Sequence, residues 1–257
     1  MKILVCDKLE EKVLDKFEEL GEITNISESK TKTEDLKSNI VDTDIVVIRS
    51  GTKINKDILD NANNLKIIAR CGVGVDNVDV EEATNKKIYV TNSPNANIIS
   101  VAELTIGLII SAARKIHVSN NSLKDKKWDR NIFLGSELYQ KQLGLVGFGK
   151  AAKEVAKRLS AFGMNIVFYD PYVDSSTIEA KKVDLDELLK TSDVISIHVV
   201  KTEETTNLIN NEKLNLIKKG GILVNTSRGG IIDEESLFQK ANEDLIFAGL
   251  DVFSQEP

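Results

Sequence analysis

Short apolar runs alternate with segments of helical period over the first ninety residues. Residues 3–6 (ILVC) form a four-residue apolar run of the kind a buried parallel strand shows. Residues 9–20 place Leu9, Val13, Leu14, Phe17 and Leu20 at helical spacing. Residues 44–48 (DIVVI) and 65–69 (LKIIA) predict further strands, 80–87 a short helix and 88–90 another strand. Repeated units of this kind predict a parallel sheet covered by helices, hence a small α/β domain with its own core.

Residues 91–97 (TNSPNAN) break the pattern with polar turn formers and a proline. They place the boundary between two domains, 1–93 and 94–257. Residues 100–115 are apolar nearly all round, so this helix has no solvent face and is expected between domains or between subunits. Residues 119–127, polar and lysine-rich, read as a solvated helix end. From residue 142 the alternation resumes. Strands are expected at 142–146, 165–169, 193–200, 222–225 and 247–252, and helices at 150–162, 185–189, 211–219 and 234–241. Gly220-Gly221 suits a glycine cap on the third of these helices. Five strands with intervening helices predict a doubly wound sheet.

Composition narrows the function classes. The 257 residues suffice for two modest domains, and 41% hydrophobic with 29% charged residues is ordinary globular usage. A net charge of -6 argues against nucleic acid as the main partner, because phosphate backbones need a basic face. Cys6 and Cys71 lie far apart in apolar surroundings and read as core thiols, and no Cys/His cluster suggests a metal. The N-terminal apolar run is too short for a secretion signal. The most apolar stretch, 101–113, contains Glu103 and falls short of a membrane span. A soluble, cytoplasmic protein without a membrane partner is the expectation.

The turn Gly147-x-Gly149-x-x-Ala152 carries the most chemistry, since it follows a strand and opens a helix. Gly147 permits a tight turn, Gly149 lets backbone approach a pyrophosphate, and Ala152 allows close helix–strand packing. The helix N-terminus offers unpaired N–H groups and partial positive charge to phosphates. Asp170 ends the next strand, twenty-one residues beyond Gly149, where a carboxylate accepts ribose hydroxyls and repels a 2′-phosphate. The residue after it is Pro171, not an arginine, so the pattern predicts a Rossmann-type domain that prefers NAD to NADP. Two further polar groups sit at strand ends. In residues 225–230 (NTSRGG), Arg228 is placed either to hold a substrate carboxylate in a bidentate fork or to pair with Asp233 or Glu234. Asp251 is placed to face the nicotinamide carboxamide. Glu256 is a catalytic carboxylate or an ordinary loop residue.

Taken in order, several segments resemble the D-isomer-specific 2-hydroxyacid dehydrogenase family: 70–79 (RCGVGVDNVD), 93–97 (SPNAN), 101–104 (VAEL), 143–149 (LGLVGFG), 169–172 (YDPY), 225–229 (NTSRG) and 250–253 (LDVF) with Glu256-Pro257. Within it, residues 48–53 (IRSGTK) and 94–97 (PNAN) resemble the branch that oxidises 3-phosphoglycerate, the first step of serine biosynthesis. The resemblance implies a Rossmann-type doubly wound parallel sheet plus a smaller flavodoxin-like α/β substrate domain. It implies that Arg228 binds the carboxylate and carbonyl oxygen of a phosphorylated 2-keto acid, with the amides of Gly72, Val73 and Gly74 on the same carboxylate. Val73 is counted with the cofactor residues as well. Arg49 and Ser50 would face the substrate phosphate, with Asn97 also counted on the substrate side. Lys150 and Ala151 would cover the NAD pyrophosphate, and His198, Val199, Thr226 and Asp251 would shape the nicotinamide half. Glu256 would orient a histidine and raise its pKa, and that histidine would exchange the hydroxyl proton during hydride transfer.

Two departures stand against the family pattern. The family's acid/base histidine and its returning C-terminal segment come after the position of Pro257. His117, in a polar stretch, reads as an exposed or interface residue, and His198 as part of the cofactor site. A truncated chain, the ordered part of a longer protein, or a naturally short and poor enzyme are the alternatives. Val200-Lys201 also replaces a proline and an apolar residue. A glyoxylate or hydroxypyruvate reductase and a non-catalytic NAD-sensing corepressor are the rival functions, and the Arg49 loop argues against both. A homodimer through the helix around 100–115 is the expected assembly.

Overall fold

The computed structural model describes residues 1–27, 33–128 and 130–256. The chain divides into two compact units, Met1–Asn97 and Ile98–Pro257. The division falls after Asn97 rather than after Ser93. The Ser93 amide donates to the Gly72 carbonyl at 2.8 Å and the Asn92 side chain to the Val73 carbonyl at 2.7 Å, which ties residues 92 and 93 to the first unit.

The first unit runs β1 (Lys2–Val5), α1 (Glu11–Glu18), β2 (Glu22–Asn25), α2 (Thr33–Ile40), β3 (Ile45–Ile48), α3 (Lys56–Leu59), β4 (Ile67–Arg70), α4 (Val80–Asn85) and β5 (Tyr89–Thr91). All pairs are parallel, in the order β2-β1-β3-β4-β5, the flavodoxin-like arrangement. Strand periodicity sorts the core. Leu4 and Cys6 face one side with Leu36 and Ile40 of α2, Ile58 and Leu59 of α3, and Ala83 of α4. Ile3 and Val5 face the other with Leu14 and Phe17 of α1. Strand β2 and helices α2 and α3 carry no strong apolar period, which is why the pattern alone passed over them.

The second unit runs α5 (Ile98–Arg114), α6 (Ile116–Lys124), β6 (Gln142–Val146), α7 (Lys150–Ser160), β7 (Asn165–Tyr169), β8 (Lys181–Lys182), α8 (Leu185–Thr191), β9 (Val194–Ile197), α9 (Asn211–Leu214), β10 (Gly221–Asn225), α10 (Glu234–Asn242) and β11 (Ile246–Leu250). Its six parallel strands order as β11-β10-β9-β6-β7-β8, the Rossmann 3-2-1-4-5-6 arrangement read from the other edge. The sixth strand, beyond the five expected, is the two-residue edge β8. Helices α5 and α7 cover one face over Leu143, Leu145 and Phe168. Residues of α8, α9 and α10 cover the other over Val146, Ile195 and Leu223.

Helix α5 buries one face within its own unit. Ala102, Thr105, Ile109, Ala112 and Ala113 bury against its own unit's sheet, whereas Ile99 and Leu104 are exposed. Residues 119–124 form the largely exposed end of a separate helix. Lys115 takes a left-handed φ of 52° and starts the separate helix α6. Helix α9 stops at Leu214. The amides of Leu216 and Ile217 bond three residues back, and Gly220, at φ 75°, turns the chain into β10 instead of capping a helix. No helix among the described residues is long and apolar enough to cross a membrane.

Candidate functional site

In open parallel sheets ligands lie beyond the carboxyl ends of strands, at the point where strand order reverses. In the second unit that point lies between β6 and β9. Gly147 follows β6 with φ 88°, and a Cβ there would stand 2.7 Å from the His198 carbonyl oxygen, just past β9. Glycine is thus required both by dihedral and by contact. Gly149 differs. Its φ is -76°, it is exposed, and no protein atom lies within 4 Å of where a Cβ would be. It is the N-cap of the eleven-residue α7. The first-turn amides of that helix, at Lys150, Ala151 and Ala152, have no intrahelical acceptors. Ala152 is fully buried against the sheet. Phe148, also buried, stacks on Phe168 of β7 with centroids 4.0 Å apart.

Asp170 stands just after β7. Its Oδ2 accepts the Phe148 amide at 2.8 Å, and its Oδ1 accepts the amides of Tyr172 at 2.8 Å and Val173 at 3.1 Å. An ionised carboxylate offers about four lone-pair sites, so three amides fix its direction and leave about one for a hydroxyl. A glycine turn, open space over Gly149, a helix N-terminus and an oriented carboxylate together fit a dinucleotide.

The remaining strand ends of this unit add polar groups. His198 donates its amide to the Val146 carbonyl at 2.7 Å, and its Nε2 lies 2.9 Å from the Ser196 hydroxyl. Burial pushes its pKa down to about 4, so the ring is neutral near pH 7. Val199 follows it, half-buried. Thr226, after β10, is buried, and its hydroxyl lies 2.8 Å from that of Thr105 on α5. Thr105 donates its own proton to the Val101 carbonyl, so Thr226 is the donor of the shared bond. The Asn225 side chain shapes the next turn. Its Oδ1 accepts the Ser227 amide and hydroxyl at 3.0 and 2.8 Å, and its Nδ2 donates to the Arg228 carbonyl at 2.8 Å. Arg228 itself is half-buried and donates to the Ser227 carbonyl at 2.7 Å. Asp233 caps α10 through Ser236, and Glu234 accepts the Ser254 amide and hydroxyl. Asp251 is exposed just after β11, where its amide donates to the Asn225 carbonyl at 3.0 Å. Glu256 is exposed and accepts the Phe253 amide at 3.2 Å. Pro257 lies outside the described residues. His117 sits on α6, its Nδ1 3.4 Å from the Ser111 hydroxyl.

In the first unit the order reverses between β1 and β3. Arg49 and Ser50, both exposed, follow β3, and the Cys71 amide joins the end of β4 to Ile48 at 2.8 Å. The turn at Gly72, Val73 and Gly74 is therefore set beside the Arg49 loop. Gly72 takes φ 155°. Asn97 is exposed immediately before α5. Sequence reasoning missed Asp7, Asn77, Thr105 and Asn225 as shapers of these loops. Position just past a strand for Asp7, and at a strand's last residue for Asn225, was the available signal. For Thr105, a lone hydroxyl in an apolar helix was a weak one. Among the described residues no cluster of three or more His, Cys, Asp or Glu is placed to hold a metal. Burial raises the Cys6 thiol to about 12, an inert core group.

Comparison with known proteins agrees with this geometry. A family profile described as D-isomer specific 2-hydroxyacid dehydrogenase, NAD binding domain, matches residues 106–257. The D-3-phosphoglycerate dehydrogenase of Methanocaldococcus jannaschii is 48% identical over the whole chain, which spans about 50% of that relative's length. The hydroxypyruvate reductase of Thermotoga maritima is 45% identical over the whole chain, which covers 84% of it. The crystal structure of the TT0316 protein of Thermus thermophilus superposes with a TM-score of 0.94 at 35% identity, over 100% of this chain and 83% of that one. The chain belongs to the D-isomer-specific 2-hydroxyacid dehydrogenase family, and its second unit is that family's NAD-binding domain.

Proposed function

We propose that the protein oxidises 3-phosphoglycerate to 3-phosphohydroxypyruvate with NAD, or runs the reverse reduction, as an early step of serine biosynthesis. The observation that carries the substrate choice is Arg49. Its guanidinium stands on an exposed loop at the strand-order reversal of the first unit, beside the Gly72 turn. A cation there matches a second anionic group, which glycerate and glyoxylate lack.

In this reading the unit 1–97 binds substrate and the unit 98–257 binds NAD. The amides of Gly72, Val73 and Gly74 hold the substrate carboxylate, together with the Arg228 fork. Arg49 and Ser50 take the phosphate, and Asn97 is a further substrate-side residue. Gly147, Gly149, Lys150 and Ala151 seat the pyrophosphate, and Asp170 the ribose. His198, Val199, Thr226 and Asp251 line the nicotinamide end. Bound NAD supplies the hydride acceptor. Glu256 orients the acid/base histidine that the family resemblance implies and raises its pKa. The assembly in this reading is a homodimer through α5, whose Ile99 and Leu104 are left uncovered by their own unit's core.

Hydroxypyruvate reduction is the second reading, favoured by the 45% identity to the Thermotoga maritima relative. Steady-state assay of the full-length protein separates the two. NADH formation dependent on 3-phosphoglycerate, with Arg49→Ala raising KM at least about tenfold, supports the first reading. Efficient turnover of hydroxypyruvate or glyoxylate with no use of 3-phosphoglycerate overturns it.

A further inference from the structure

Two side chains grip the Arg49 loop from opposite sides. The Asp7 carboxylate, just after β1, accepts through one oxygen, Oδ2, the amides of both Arg49 and Thr52, at 2.5 and 3.3 Å. Asn77, in the loop after β4, donates through its Nδ2 to the carbonyls of the same two residues, at 2.7 Å to Arg49 and 2.5 Å to Thr52. The N–H and the C=O of both loop ends are therefore taken by side chains from the connections after the two neighbouring strands. Asn77 is itself locked, because its carbonyl accepts the Ile54 amide at 2.8 Å and Val78 forms a parallel bridge with Ile54. The fit is close: a Cβ on Gly51 would stand 2.6 Å from Asp7 Oδ1. The loop shape is thus set by residues from the two neighbouring connections, not by the loop's own sequence.

We infer that Asp7 and Asn77 form a clamp that positions Arg49, and so act as specificity-determining residues for a substrate with a distal phosphate. The inference rests on the proposed role of Arg49. Physically, four charge-assisted or amide bonds fix the backbone at Arg49 and Thr52 before substrate arrives, so binding has to order only the Arg49 side chain and not the loop. Asp7 does not touch the substrate in this account. It is a positioning residue acting through Arg49. Because both of its bonds use a single oxygen, an asparagine in its place retains an acceptor for both amides, whereas an alanine leaves them without one.

The test uses the full-length protein and the variants Asp7→Ala, Asp7→Asn, Asn77→Ala and Arg49→Ala, read in two ways. The first is kcat/KM for 3-phosphoglycerate against D-glycerate. A misplacement of about 1 Å costs roughly 10²-fold. Asp7→Ala and Asn77→Ala are expected to lower the phosphate preference by about that factor through KM, to leave glycerate turnover and NAD affinity near wild type, and to add little on top of Arg49→Ala. Asp7→Asn should restore most of the preference. Equal losses on both substrates, or full additivity with Arg49→Ala, overturn the clamp as a specificity device. The second readout is amide hydrogen exchange at Arg49 and Thr52, which needs no substrate. Slow exchange in the wild type, lost in Asp7→Ala, supports the clamp even if 3-phosphoglycerate is not turned over, which would count against the proposed substrate alone. Unchanged exchange in Asp7→Ala overturns the clamp.

Discussion

Replacing Gly147 with alanine isolates how tightly the nucleotide turn is packed on its neighbour strand. Two costs add at this position. A φ of 88° places an L-residue in the left-handed region, at about 1–2 kcal/mol. The new Cβ would also stand 2.7 Å from the His198 carbonyl oxygen and 2.8 Å from both its carbonyl carbon and Val199 Cγ1. Backbone cannot swing aside as a side-chain tip can, so overpacking adds roughly 1–3 kcal/mol. The sum is about 2–5 kcal/mol. For a domain of this size each kcal/mol lowers Tm by about 2–4 °C, so a fall of roughly 4–20 °C is expected in thermal unfolding followed by circular dichroism. Gly220→Ala is the control. Its φ of 75° carries the same dihedral cost, but nothing lies within 4 Å of its Cβ position. Gly147→Ala should therefore lose clearly more than Gly220→Ala. Equal losses would mean that the close approach of the turn to β9 is not rigid, and the argument for glycine at that site would reduce to its dihedral.

Further outcomes follow from neighbouring groups. Gly149→Ala should change stability little, since the ~0.4–1 kcal/mol a compatible Gly→Ala change gives is offset by the poorer N-cap that alanine makes, yet weaken NAD at least about tenfold by calorimetry, since the methyl fills the space over the helix N-terminus. Wild-type NAD affinity in this variant would show that the pyrophosphate does not approach there. His198, with its pKa lowered from 6.5 to about 4, binds fewer protons folded than unfolded between those values. Stability is thus unaffected above pH 6.5 and falls by at most about 1.4 kcal/mol per unit as pH drops from 6.5 to 4. Denaturation midpoints of His198→Asn should lack that slope, and parallel curves would contradict the assigned burial. Thr52 is buried with its hydroxyl unpartnered, so Thr52→Val is expected to be neutral or stabilising by up to about 1 kcal/mol in urea titration, and a clear loss of stability would contradict that reading.

The long apolar strands, the glycine turn and the carboxylate after β7 were legible because each rests on a local pattern. Residues 142–146 and 165–169 are mostly apolar and buried after their first residue and bounded by turns, so sequence and structure agree to the residue. Strand β2 (EITN) was not legible. It is an edge strand with little buried surface, and its place depends on pairing with β1, a non-local fact. Helix α9 was overextended because Leu216 and Ile217 keep a helical look, while their backbone bonds had already tightened to three-residue turns. The candidate site shows the same division. Gly147, Asp170 and Arg228 announce themselves by motif. Asp7 and Asn77 act through what they meet across the sheet, and the one local signal, a place just past a strand, existed for Asp7 alone.

The central claim, that residues 98–257 hold NAD by the Gly147 turn and the Asp170 carboxylate, is tested most directly by calorimetric titration of the protein with NAD and NADP. Asp170→Asn is titrated beside the wild type, since it keeps an acceptor for the Phe148 amide but removes the charge. The account predicts one NAD per chain, NADP weaker by at least about tenfold, equivalent to about 1.4 kcal/mol, and a narrower gap in the variant. Equal affinity of the wild type for NAD and NADP, or no saturable binding of either, would contradict it.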